Sequence, residues 1–415
     1  MSKGEKFLLT LFFIELFIGG GGRLFSFGPI TLRMVLFAII ITIFIIRLLV
    51  GKAFIIKNTN TILVYILLLW FGMSFLIGLL NGNKLNLMIG DIKTLSFLLI
   101  YFPLCYYISN DRFSVKSIFN LLKATSIIIS MMTITITILA NTVYLNSLDL
   151  YEFINDLSDG DFIFRSSGAV FYKGHYYVLI SVVISMFLYF NNKHNRYDIL
   201  ILLLGTISLI LSETRGLIIS ALIGLILCIL LNLKSFIVKL NKSLFFIALL
   251  VWPLFNFFTP YINFERINLS SLSQDLGVKV RFLIIEEALN KIQNNFFLGS
   301  GFGTEITNRP SNIEISFLDI LMEQGMIGLV IWLMIFLNIF IMYYKIIKNK
   351  LIKLDAYHIA LFVSIISTIF LTNTNPFINN PLGMIHILIV MIYYYQTLTD
   401  RNIKLSRGDE IIRCN

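Results

Sequence analysis

Apolar runs of about 18 or more residues recur along the whole chain, each long enough to cross the roughly 30 Å hydrocarbon core of a bilayer. Of the 415 residues, 57% are hydrophobic and only 13% are charged, against roughly 25% charged in a soluble domain. The runs therefore predict an all-α, polytopic integral membrane protein, with residues 1–415 forming a single transmembrane domain of about twelve helices. The expected spans are 7–22, 30–50, 61–80, 88–108, 118–140, 176–191, 198–211, 216–233, 243–262, 316–345, 357–374 and 382–398. The stretch 198–211 is short, and Pro253 and Pro260 predict a kink or a break in 243–262. The first run has a basic start, but Glu15 interrupts it and no small-residue cleavage site follows. It reads as an anchored first helix rather than a removed signal peptide.

The net charge of +10 argues for cytoplasmic loops rather than a nucleic-acid partner. Lys3 and Lys6, Arg47 to Lys57, Arg112 and Lys116, Lys193 and Arg196, Lys234 to Lys242, Lys345 to Lys353, and Arg401 to Arg407 fall at alternate connections. That alternation places both termini in the cytoplasm. It leaves two long connections outside, at 141–175 and 263–315, and loops of that length in a compact protein usually carry function. Cys105, Cys228 and Cys414 show no pairing or zinc spacing, and His194, His358 and His386 stand isolated. Neither metal nor cofactor is expected.

Polar residues of the outward side form a few groups. The turn Ser212-Glu213-Thr214-Arg215-Gly216 keeps an arginine where the orientation rule disfavours positive charge. Phosphate binding is one reason to retain it, and snorkelling to lipid headgroups is another. Arg165, Lys173 and His175 gather beside aromatics at the close of the first long loop. Such a group suits a sugar phosphate, or equally an interfacial belt, to which His175 is better assigned. A helix is predicted over 278–294, with Val278, Phe282, Ile285, Leu289 and Ile292 on one stripe and Arg281 flanking it. The glycine-rich turn 297–303 follows; it lacks the Gly-Lys-Ser/Thr of a nucleotide loop. Glu314, Asp319 and Glu323 then enter a long span, where carboxylates usually line a cavity or meet a cation. Asn373 to Asn375, with Asn379 and Asn380, form the last outward turn. They are ordinary turn residues, although the Asn375 amide also suits hydroxyl recognition.

The order of spans, the Ser-Glu-Thr-Arg-Gly turn, the Arg281 helix, the Gly-Ser-Gly-Phe-Gly turn and the Glu-x-Gly-x-x-Gly helix resemble the O-antigen polymerase/ligase family. The resemblance covers most of the chain through loose motifs. Members usually show Asn-Pro before the glycine turn, where this chain has Asn295-Phe296. Ligases usually show His-Asn eleven and ten residues before the glycine of the Glu-x-Gly turn; counted back from Gly325, these positions hold Glu314 and Ile315. The missing histidine points to a polymerase over a ligase. The resemblance implies a glycosyltransferase of the cell inner membrane, its active site facing the periplasm. It would join undecaprenyl-diphosphate-linked oligosaccharides into O-antigen or a related surface polysaccharide. Membrane lipids and a chain-length regulator are the further partners implied. In that reading Arg215 and Arg281 stabilise the leaving diphosphate and Glu314 takes the acceptor proton, while Arg165, Lys173, Glu213, Asp319 and Asn375 bind substrate. The site would be a cavity between the outer ends of the spans, roofed by the 278–294 helix. The alternatives are a ligase and a transporter or flippase of lipid-linked sugar; crowding of polar residues on one face, rather than at mid-membrane, argues against transport.

Overall fold

The computed structural model describes residues 2–22, 26–28, 30–110, 112–141, 147–158, 160–165, 168–232, 276–307, 313–349 and 355–413, without the side chains of 27, 147–148, 276–278 and 400–413. Several helices begin where a side chain takes free N–H groups of the first turn. Ser2 and Glu5 form a reciprocal cap on α1 (Lys3–Ile18), Thr31 caps α2 (Leu32–Leu49), and Asn58 caps α3 (Thr59–Leu80). A composite helix follows: α4 (Leu85–Leu95), a 3-10 turn, and α5 (Tyr101–Ser109). Next come α6 (Val115–Ala140), the short α7 (Ser147–Ser158) and α8 (His175–Phe190). Asn195 and Asp198 form a second reciprocal cap on α9 (Arg196–Leu200), which a π turn joins to α10 (Thr206–Leu211). The remaining helices are α11 (Arg215–Leu231), α12 (Leu276–Asn294), α13 (Ser316–Lys348), α14 (Ala356–Leu371) and α15 (Pro381–Arg413).

Every expected span except 243–262, which lies outside the described residues, coincides with a helical stretch. Six of these are long and apolar enough to cross a membrane: Leu32–Leu49, Thr59–Leu80, Leu85–Ser109, Val115–Ala140, Ser316–Lys348 and Pro381–Thr399. Helices α8, α11 and α14 are apolar but have only 16 or 17 residues. The expectation of an all-α chain needs one correction. Two small antiparallel hairpins interrupt it, Ser26–Phe27 with Ile30–Thr31, and Phe162–Phe164 with Val170–Tyr172. The second hairpin, with α7, gives the expected 141–175 loop a structure of its own.

The outward surface is apolar. On α3, Ile62, Tyr65, Ile66, Leu69, Met73, Leu76 and Leu80 form an exposed stripe at helical spacing. Val330, Leu333, Leu337, Ile341 and Tyr344 do the same on α13. Water would make such faces costly, whereas hydrocarbon would not. Helix α8 is buried nearly all round and packs on α6, α11 and α14, so it occupies the centre. Side-chain bonds there satisfy the polar groups, with the Tyr176 hydroxyl 3.0 Å from His386 Nδ1 and His386 Nε2 3.0 Å from Ser364 Oγ.

Two sets of contacts define the two ends of the bundle. One end gathers residues 18–21, 81–83, 161–165, 168–175, 212–216, 299–304, 313–319 and 372–379; we call it the loop-rich end. The other, the basic end, joins Glu5 to Arg47, Lys123 to Asp198 and Lys193 to Asp355. Arg47, Lys123 and Lys193 thus share one end of the bundle.

Helix α13 is broken at Gly325, whose φ of 68° and ψ of −175° leave the helix for one residue. A break within a bilayer must satisfy the backbone groups it frees. The glycine turn does so. Ser300 and Gly301 N–H donate to the Met322 and Glu323 carbonyls at 2.8 and 2.9 Å, and the Phe296 carbonyl accepts Met326 N–H at 2.9 Å. The Gln324 carbonyl accepts Trp70 Nε1–H at 2.9 Å. On its far side the turn meets α3: a Cβ on Gly301 (φ 82°) would lie 2.1 Å from the Gly78 nitrogen. Only glycine permits both that backbone angle and that approach.

Candidate functional site at the loop-rich end

The polar residues of the loop-rich end form two groups joined by one turn. The first surrounds residues 212–216. Buried Ser212, Glu213 and Thr214 fill the link between α10 and α11. Glu213 adopts a left-handed backbone, φ 47°, which non-glycine residues rarely take without a reason in the surroundings. Half-buried Arg165 reaches this link from the hairpin: its Nε donates to the Ser212 carbonyl at 3.3 Å and its Nη2 to Thr214 Oγ1 at 3.2 Å. Arg215 is half-buried at the start of α11.

The second group surrounds the start of α13. Arg281, from α12, donates through Nε to Glu314 Oε2 at 2.7 Å, and Nη2 lies 2.5 Å from the same oxygen. Both side chains keep substantial exposure, 46% for Arg281 and 30% for Glu314. Asp319 is buried one turn into α13. Its Oδ1 accepts Ile313 N–H at 3.1 Å, and its Oδ2 accepts Asn379 Nδ2–H at 2.6 Å. Asp319 thereby ties the backbone just before Glu314 to the side chain of Asn379.

The joining turn is 372–380. The Thr372 carbonyl accepts Ser316 N–H at 3.2 Å, which ties it to the second group. On the other side Gly216 approaches it so closely that a Cβ would lie 2.1 Å from Thr374 Oγ1 and 3.0 Å from Asn375 Oδ1. The structure thus connects Arg165, Glu213, Arg215, Asn375, Asp319, Glu314 and Arg281 through one run of contacts. Inside it, Ser316 Oγ, Thr372 Oγ1 and Asn379 Oδ1 are buried and make no hydrogen bond.

Lys173 stands apart from this run. Its Nζ pairs at 2.8 Å with Asp161, whose side chain is fully buried, so it braces the hairpin. His175 is not part of the expected interfacial belt but is fully buried, with Nε2 2.9 Å from Ser208 Oγ and Nδ1 accepting Tyr172 N–H at 2.9 Å. On α12, Ile284, Ala288 and Ile292 face the protein and pack with Ile306, Ile313 and Met322, while Phe282 and Leu289 are exposed. The helix has two apolar faces, and periodicity alone does not say which one meets protein.

Sequence reasoning missed three features. The Asn379 tie to Asp319 looked like turn composition. Asp91 accepts Gly303 N–H at 2.8 Å and so anchors the glycine turn. Arg33 Nε meets Glu15 Oε2 at 2.8 Å in a buried pair between α1 and α2. The signal for that pair was present, since two ionisable residues within apolar runs of neighbouring spans call for each other.

Fold and site together define a multi-pass membrane protein whose polar groups, arginines and carboxylates among them, converge at one end of a helical bundle. Residues 200–333 match the O-antigen ligase family; the match takes in the 212–216 turn, Arg281, the glycine turn, Glu314 and Asp319. Over 98% of its length the chain is 30% identical to an O-antigen polymerase of Shigella flexneri, of which it covers 98%. The chain belongs to the O-antigen polymerase/ligase family.

Proposed function

We propose that this protein polymerises lipid-diphosphate-linked oligosaccharide repeat units into O-antigen, at the loop-rich end and on the periplasmic side of the inner membrane. The full-length likeness to the Shigella flexneri polymerase carries the reading. An acceptor hydroxyl attacks the anomeric carbon of the donor glycan. The bond from that carbon to the diphosphate oxygen breaks, and the lipid diphosphate leaves with the electron pair. Arginines stabilise the developing charge by bidentate, charge-assisted hydrogen bonds. Arg281 suits this role because it is only half-covered and bonded to a single carboxylate. An arriving diphosphate competes for it, and the exchange releases Glu314 to take the acceptor proton. Arg215 and Arg165 hold the substrate from the opposite side of the 372–380 turn, with Asn375 and Glu213 contributing polar contacts to sugar. The exposed Phe282, Leu283, Leu289 and Phe297 on and beyond α12 offer the lipid tail an apolar path to this end.

Glutamate at 314, where ligases carry histidine, supports polymerisation over ligation. The assay is purified protein with synthetic lipid-linked repeat units alone. A ladder of polymer lengths is the expected product. A chain that extends nothing here but transfers glycan to a lipid A-core acceptor would replace the reading with ligation. Alkaline phosphatase fused at 160 and 290 should be active, and inactive fusions there would reverse the orientation.

A further inference from the structure

A cavity of about 290 Å³ opens at the basic end, between the start of α3 and the adjoining turns of α13 and α15. Lys57, Asn58, Thr59, Asn60, Asn338, Lys345, Tyr395 and Thr399 are its polar lining, with no acidic residue among the described lining residues. The two lysines are exposed, and neither is paired with a carboxylate among the described residues. Asn60 and Asn338 are hydrogen-bonded to one another and Asn60 also donates to the Met391 carbonyl, so their amides are occupied. The cavity therefore presents two ammonium groups that no carboxylate among the described residues neutralises.

We infer that this cavity binds the phosphate of an anionic phospholipid headgroup. A phosphate accepts several N–H bonds at once, and cations between helices at this depth attract such headgroups. The volume admits a phosphate with its glycerol and is too small for an oligosaccharide. The surroundings select a lipid over a free ion. Ile62 and Ile66 of α3 and Ile341 and Tyr344 of α13 are exposed apolar side chains within three turns of the two lysines. Acyl chains lying along them would leave their phosphate at the cavity.

The full-length protein in phosphatidylcholine nanodiscs, with and without phosphatidylglycerol, tests this without any reading of activity. Acetylation of individual lysines is followed by mass spectrometry. Phosphatidylglycerol should slow acetylation of Lys57 and Lys345 by about fivefold more than that of Lys52 and Lys348, as expected of one lysine held beside an anionic lipid. Lys52 and Lys348 lie at the same end outside the cavity lining. K57Q should return Lys345 to the fast rate. Protection of both lysines by inorganic phosphate in phosphatidylcholine alone would show a free-anion site and overturn the lipid assignment. Equal slowing of all four lysines, or of none, would overturn the site.

Discussion

At the basic end, Lys123 and Asp198 meet at 2.6 Å with side chains only 4% and 1% exposed, and Ser185 and the Asn195 N–H complete the shell of the carboxylate. At the loop-rich end, Arg281 and Glu314 meet as closely, yet both remain open to what surrounds them. The first pair joins α6 to α9 and has nowhere else to go. Charge sealed away from water stabilises a structure once both partners are present, but cannot respond to a substrate. Charge in a half-open pair can exchange partners. The contrast predicts that substitutions at one end remove activity and at the other remove stability.

The largest effect is expected for Arg215→Ala and Arg281→Ala. Loss of a donor aimed at a leaving group costs about 10²–10³ in turnover, and loss of a full guanidinium facing a diphosphate should reach the upper end. Lysine should restore little where contact is bidentate. Membrane levels and melting temperature should stay near wild type, because neither arginine is sealed in the core. Polymer of normal length made by either alanine variant would break the comparison at its active end.

Glu314→Gln is next. Glutamine keeps an oxygen for Arg281 but takes up no proton, so turnover should fall by about 10²–10⁴ with little change in donor KM. If Glu314 only holds Arg281 in place, the glutamine variant should work nearly as well as wild type while Glu314→Ala behaves like Arg281→Ala. That result would move the base to Glu213 or Asp319.

How far the sequence led can be judged from particular elements. The membrane class and the described helices followed from hydropathy, because lipid imposes that pattern on every span. The residues of the loop-rich end were found because charge away from the basic loops stands out. What escaped was pairing across the chain. Gly301 touches Gly78 and Gly299 touches Gly325, and nothing local in either segment announces the other. Lys173 had the composition of a phosphate ligand until Asp161, twelve residues earlier, was seen to hold it. Helix α12 was placed, but its packing through Ile284 and Ala288 was not foreseen, since its Phe282 side is as apolar as the side that packs.

Lys123→Ala should show the reverse of the arginine variants. It leaves Asp198 buried without its cation, a loss of about 3 kcal/mol or more for a sealed pair. The Ser185 and Asn195 bonds persist and keep the loss toward the lower bound. The variant should melt at lower temperature, while polymerisation per folded molecule stays unchanged. Replacing both partners by apolar residues should recover much of the stability. Normal melting of the single variant would show that the basic end does not depend on its sealed charge.

The smallest effect belongs to Lys193→Ala, and it separates burial from mere pairing. Lys193 and Asp355 also sit at the basic end, 3.1 Å apart, but with side chains 49% and 46% exposed. Water and salt screen such a pair, and holding two flexible side chains offsets most of what attraction remains. Asp355 keeps its own work without the lysine, since its carboxylate caps α14 through the Ala356 N–H at 2.6 Å. The variant should lose no more than about 1 kcal/mol in melting experiments, and the loss should shrink further at high salt. It should polymerise at the wild-type rate. If Lys193→Ala instead destabilised the protein as much as Lys123→Ala, exposure would not be what divides structural from spare charge at this end. A loss of polymerisation with normal melting would put a functional charge at the basic end, and the division between the two ends would fail.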